Sequence, residues 1–281
     1  MWHQNSGGDP KLNTAEKITP LAFLKGMGHQ SMYDMSVEDL LDNTTQHLFE
    51  YHVDTEFSSW SASPRFVLHY ATCERESAYV AVIDTLGLRE STGNSMFHVP
   101  ALAPIFEDLK SGHRPDYGLY DWEYLVHGVI EGRHYKAASF QSLCDAGLTN
   151  HLPALEQYVN AWGSDKFPLP NPIVMFSREE MEDLSRMASL FEPQSQMCAA
   201  ITITLFCCKK RAGFGTELKE DELREIVDCL GGRNHVPEDW CASFSNDVYD
   251  LRYGDNRQMV NVMRAVSAYC WGMGARARFA K

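Results

Sequence analysis

No stretch of 18 consecutive apolar residues occurs in the 281-residue chain, so no membrane-spanning helix and no membrane partner are expected. The opening residues, Met1-Trp2-His3-Gln4-Asn5-Ser6-Gly7-Gly8, have neither a basic start nor an apolar run, and a secretory leader is not expected there. No C-x-x-C pair occurs among the eight cysteines, Cys73, Cys144, Cys198, Cys207, Cys208, Cys229, Cys241 and Cys270. Their mostly apolar, helical surroundings predict reduced core thiols in an intracellular protein, cytoplasmic or nuclear, with no metal site. A basic stripe is also missing. The net charge is -13, and the only basic cluster near an end is Arg276, Arg278 and Lys281, so no nucleic-acid partner is expected. Internal repeats and low-complexity segments are absent, as are the G-x-S-x-G, H-E-x-x-H, Walker and G-x-G-x-x-G patterns.

What is present reads as a globular protein: 44% hydrophobic and 22% charged residues argue against disorder. Ser36, with Asp39 three residues on, opens a helix carrying Val37, Leu40, Leu41, Leu48 and Phe49 near helical spacing. Residues 55–63 read as a short strand and a turn, and Ser63-Pro64 as the N-cap and first residue of a helix that buries Phe66, Val67, Tyr70 and Ala71. Tyr79 to Asp84 and Glu123 to Ile130 are β-rich runs. A third strand, His134 to Phe140, is expected to form a hairpin with the second through the turn at Glu131-Gly132-Arg133.

Beyond about residue 150 the character changes. Pro168, Pro170 and Pro172 punctuate a linker. A capping box at Ser177 to Glu180 precedes Met181, Leu184, Met187 and Phe191, and Cys198 to Cys208 is apolar nearly all round, as in a buried helix. Further helices carry Leu223 to Leu230, stopped by Gly231, and Met259 to Cys270. The pattern predicts an α+β region over 1–150 and a mostly α-helical region over 151–281.

Three segments of the front half carry chemistry in a telling order. They are Trp2 to Gly8, then Phe57-Ser58-Ser59-Trp60-Ser61-Ala62-Ser63-Pro64, then Asp121-Trp122-Glu123-Tyr124-Leu125-Val126-His127-Gly128. This order resembles the ADP-ribosyltransferase superfamily, whose members cleave NAD using an Arg or His, then a Ser-rich strand, then a Glu. More narrowly, it is similar to fungal proteins of unknown function with a degenerate version of that fold. The resemblance covers roughly residues 1–150 and implies an ADP-ribosyltransferase-like split β-sheet core with flanking helices.

The resemblance also implies roles. Breaking the nicotinamide–ribose bond passes through an oxocarbenium-like state, as in glycoside hydrolysis, and a carboxylate beside the ribose stabilises that charge. Glu123 takes the place of the family's Glu, and Asp121 that of the second acidic or amide residue, which helps select the acceptor. Ser58 and Ser59 align with the strand whose hydroxyl orients the Glu. Trp60 or Phe57 is the candidate platform for the nicotinamide ring, and His3 the candidate ribose contact. NAD is then a substrate, and the second partner is a protein or small acceptor. The alternative readings of the same residues are a strand-end acid facing water for Glu123 and turn and cap chemistry for the serine run.

The first motif departs from the family pattern. No arginine precedes Arg65, His3 is followed by Gln4 where the family has Gly, and the opening strand begins almost at Met1. Two functions therefore stay open: ADP-ribosyl transfer or NAD glycohydrolysis, or a catalytically inactive ADP-ribosyltransferase-like module that binds a protein partner. Lesser features have plainer readings: Gly213 to Thr216 as a connection between helices, His69 and Cys73 (four apart) as packing, and Cys144 as a thiol that nothing local activates.

Overall fold

A computed structural model describes residues 2–3, 12–48, 54–93, 95–102, 123–157, 173–191, 196–211, 218–238, 240 and 254–272. In chain order the front elements are β1 (Trp2–His3), β2 (Lys17–Ile18), α1 (Leu21–Leu24), α2 (Val37–Leu48), β3 (Phe57–Ser61), α3 (Pro64–Ala71), β4 (Ala78–Ile83), α4 (Thr85–Thr92), β5 (Met96–His98), α5 (Val99–Leu102), β6 (Glu123–His127), β7 (Ile130–Glu131) and β8 (Tyr135–Ser139). Helices follow: α6 (Phe140–Asp145), α7 (Leu148–His151), α8 (Ala154–Gln157), α9 (Arg178–Ala188), α10 (Gln196–Phe206), α11 (Glu220–Cys229) and α12 (Gly254–Trp271). The protein is α+β. The Pro168, Pro170 and Pro172 linker, the Gly213 to Thr216 connection and Asp121 lie outside the described residues.

Local chemistry explains several element ends. Ser36 accepts the Asp39 N–H at 3.0 Å and donates to its carboxylate at 2.6 Å, a reciprocal cap that starts α2. Asp84 accepts the Gly87 N–H at 3.0 Å to start α4, and Gly93, at φ 71°, ends that helix in the left-handed region. Ser63 caps α3 and Pro64 takes its first position, while Ser177 caps α9.

Two compact units arise from these elements. The first takes Met1–Ala62 and Cys73–Phe140; the second takes Ser63–Thr72 and most of the chain from Gln141 onward. The change of unit at Phe140 falls some ten residues before the change of character in the sequence, and α3, flanked on both sides by first-unit chain, belongs to the helical unit.

In the first unit, β1-β4-β8 and β3-β6-β5 are three-stranded antiparallel sheets, and β2 pairs with β7. One apolar cluster joins Trp2, Ile18, Ala81, Leu88, Val126, Ile130 and Tyr135, with Trp60 and Tyr79 against it. The second cluster joins Leu48, Phe57, Val99 and Leu125, with Leu40 and Leu41 of α2 against it. Apolar side chains thus cover both faces of the sheet β3-β6-β5 around Leu125 and Val126. Trp2 anchors the opening strand by stacking on Tyr79 with ring centroids 4.2 Å apart and donating its indole N–H to Tyr135 at 3.0 Å.

The expected hairpin between the strands after Glu123 and after His134 does not form. β6 pairs with β3 and β5, whereas β8 pairs with β4. The Gly128 N–H goes to the Glu56 carbonyl at 3.0 Å, one rung beyond the Phe57–His127 pair of the β3–β6 ladder, and its backbone, at φ 90°, turns the chain out of β6 there. A 3-10 turn at Gly132–His134 then redirects the chain into β8.

The second unit is helical among its described residues. Met181, Leu184, Met187, Ile203, Phe206 and Ile226 are fully buried between α9, α10 and α11. The Ser63 hydroxyl donates to Asp255 of α12 at 2.8 Å, and the Arg65 N–H donates to the same carboxylate, which ties the start of α3 to α12. Glu180 of α9 is buried and accepts both guanidinium nitrogens of Arg211, at 2.6 and 3.0 Å, and the Lys209 ammonium at 2.6 Å. These bonds hold its carboxyl below the usual range against the opposing effect of burial.

Candidate functional site

The site follows from one strand register. Ser61 pairs with Glu123, Ser59 with Leu125 and Phe57 with His127. Because side chains alternate along a strand, Phe57, Ser59 and Ser61 share a face with Glu123, Leu125 and His127, while Ser58 and Trp60 share the other face with Tyr124 and Val126. Across the pair, the Ser59 hydroxyl donates to the Glu123 carboxylate at 2.5 Å. This is the short distance of a hydroxyl held by an ionised acceptor. Ser59 is exposed and Glu123 half-buried.

The last turn of α2 reaches the same point. His47 Nε2 lies 2.9 Å from Ser59 Oγ, and its Nδ1 lies 2.9 Å from Thr55 Oγ1. Its ring meets Phe57 edge-on, with centroids 6.3 Å apart. Burial pushes the imidazole pKa down to about 4, so the ring is neutral near neutral pH.

At the other end of this face sits a second polar group. Glu56, 3% exposed, accepts the His29 backbone N–H at 2.7 Å and has His29 Nδ1 at 2.7 Å and His127 Nε2 at 3.0 Å. Burial raises the Glu56 pKa, but the hydrogen bonds from His29 and His127 outweigh it and the net shift is downward. The hydrogen bond to Glu56 raises His29. Burial lowers His127 despite the same carboxylate. Glu56 therefore pins the segment around His29 to the end of β6.

The candidate residues fall into three groups. Ser59 and Glu123 are brought together. Ser58 and Trp60 are placed elsewhere, and Phe57 is packed into the core on the Glu123 face: Ser58 faces the opposite side and accepts the Trp60 indole N–H at 2.9 Å. Trp60 packs edge-on to Tyr135 at 6.4 Å on that side. Phe57, 2% exposed, lies against Leu125 and Phe97 and leaves no ring face for a nicotinamide. The reason is the two-residue period of β3: of two adjacent serines only one can face Glu123. His3 lies on β1, in the other three-stranded sheet, paired with Ala78. Of the lesser candidates, His69 is buried and Cys73 exposed. Among the described residues, no helix is long and apolar enough to cross a membrane.

His47 and Thr55 carried no sequence signal as site residues, since one ends a helix and the other precedes a strand. Residues 1–134 match the family described as "Domain of unknown function (DUF7587)". Ser59, Glu123, His47 and Thr55 all lie within that segment. No curated protein and no solved structure matches the chain.

Proposed function

We propose that the first unit cleaves the nicotinamide–ribose bond of NAD and passes the ADP-ribosyl group to an acceptor or to water. The observation that carries this reading is the 2.5 Å contact between Ser59 and Glu123. A carboxylate held by a serine from the neighbouring strand is suited to stabilise an oxocarbenium-like ribose, because its charge and orientation are set before the bond breaks. The two three-stranded antiparallel sheets of the first unit support an ADP-ribosyltransferase-like split-sheet core. In this reading Glu123 stabilises the charge, Ser59 orients it, and Asp121, two residues earlier in the sequence, contributes to acceptor choice. The test is nicotinamide release from NAD by the purified protein beside Glu123→Gln. Release by the parent that is lost in the variant supports the reading; equal release by both sinks it.

A second reading has its own observation. α2 covers Phe57 and Leu125 on the face that carries Glu123, and His47 already engages Ser59. This favours an inactive shell that binds a protein partner. Saturable NAD binding by calorimetry would count against it.

A further inference from the structure

We propose that His47 is the positioning residue of this site, donating its Nε2–H to Ser59 so that the single Ser59 proton is directed at Glu123. Its catalytic meaning rests on reading Glu123 as the charge stabiliser; the hydrogen-bond argument stands on geometry alone.

Ser59 has one hydroxyl proton and two partners. An ionised Glu123 only accepts, and it lies 2.5 Å away, so the proton belongs there. The other contact, 2.9 Å to His47 Nε2, must then be donated by the imidazole. A neutral imidazole carries one N–H. Nδ1 is therefore bare and accepts the hydroxyl of Thr55, 2.9 Å away. The result is a chain polarised in one direction, from Thr55 through His47 and Ser59 to Glu123.

The chain has a second self-consistent state. If Glu123 is protonated it donates to Ser59, Ser59 donates to Nε2, and Nδ1–H donates to Thr55. With Glu123 ionised only the first arrangement satisfies every contact, because turning the Ser59 proton to the imidazole aims an oxygen lone pair at a charged carboxylate. An ionised Glu123 therefore fixes the Nε2–H tautomer of His47, and an Nδ1–H tautomer requires a protonated Glu123. The ring is held for this role by the edge of Phe57 and by its place in the last turn of α2. Burial, which keeps the imidazole neutral, preserves the one-proton condition.

The deciding measurement is the His47 tautomer near neutral pH by imidazole-nitrogen NMR on isotope-labelled protein. The Nε2–H form is expected in the parent, with that preference lost in Ser59→Ala. An Nδ1–H form in the parent overturns the assignment. In parallel, nicotinamide release is compared in two variants. His47→Gln, whose amide N–H takes the place of Nε2–H, keeps kcat within about threefold of the parent. His47→Asn is too short to reach Ser59 and lowers kcat by about tenfold or more, with KM for NAD within about twofold. An Asn variant as active as the parent overturns the positioning role. If the parent releases no nicotinamide, the reading of Glu123 fails, and the tautomer alone decides the assignment of His47.

Discussion

Ser59 and Glu123, 64 positions apart in the chain, share a 2.5 Å hydrogen bond because Ser61 and Glu123 are paired in the β3–β6 ladder. That register sets Ser59 one pleat along on the same face. Strand pairing, not proximity in sequence, makes the site.

If this contact orients a charge-stabilising carboxylate, the two residues differ in how much they contribute. Glu123→Gln is expected to lower nicotinamide release about 10²–10³-fold, the usual cost of losing an electrostatic stabiliser. Ser59→Ala is expected to lower kcat by about tenfold with KM little changed, since it removes orientation but leaves the charge. Steady-state kinetics on the two variants distinguishes these outcomes from an equal loss.

Acid is expected to destabilise the first unit through His47. Its folded pKa, about 4, lies below the ordinary 6.5, so the unfolded chain takes up a proton first. The stabilisation is full above 6.5 and is lost as pH falls toward 4. At about 1.4 kcal/mol per pKa unit, the shift amounts to roughly 3 kcal/mol at most. His127, lowered by burial, and Glu56, lowered by its histidine bonds, act in the same direction. Denaturant melts of the parent and His47→Gln across this range check the claim: the variant's stability should fall less steeply.

His29 runs the other way. Its pKa is raised, chiefly by its hydrogen bond to Glu56, so its contribution is full below 6.5 and fades as pH rises through the folded value. His29→Ala is expected to be destabilised relative to the parent in mildly acidic solution, with the difference shrinking in alkaline solution. A difference that grows with pH would contradict the geometry of Glu56.

The helical unit has its own test in Glu180 and Arg211. Arg211 is 4% exposed, its guanidinium grips both carboxylate oxygens, and it lies 3.9 Å over the Phe206 ring. Arg211→Met leaves the buried carboxylate with Lys209 and the more distant His151 ring, 3.8 Å away, and is expected to cost on the order of 3 kcal/mol. Glu180→Leu combined with Arg211→Met removes both charges and is expected to recover most of that loss. Chemical denaturation of the single and double variants measures the coupling.

The sequence by itself determined whatever depends on residues within about four positions of one another. Ser36 with Asp39, Ser63 with Pro64 and Ser177 with Glu180 marked helix starts, because a cap is a local hydrogen bond. The apolar run of α10 showed its burial, and the serine run and Glu123 fell on strands. Tertiary structure alone decided which strands meet. The runs after Glu123 and His134 look like a hairpin in the chain, yet Gly128 turns between them, and β6 lies between β3 and β5 with both faces covered. That register also decided that Ser59 rather than Ser58 faces Glu123 and sent Trp60 and Phe57 into the two apolar clusters. It brought the end of α2 to Ser59 as well. His47 and Thr55 acquire a role only there, because a hydrogen-bond chain across three segments has no periodicity to read.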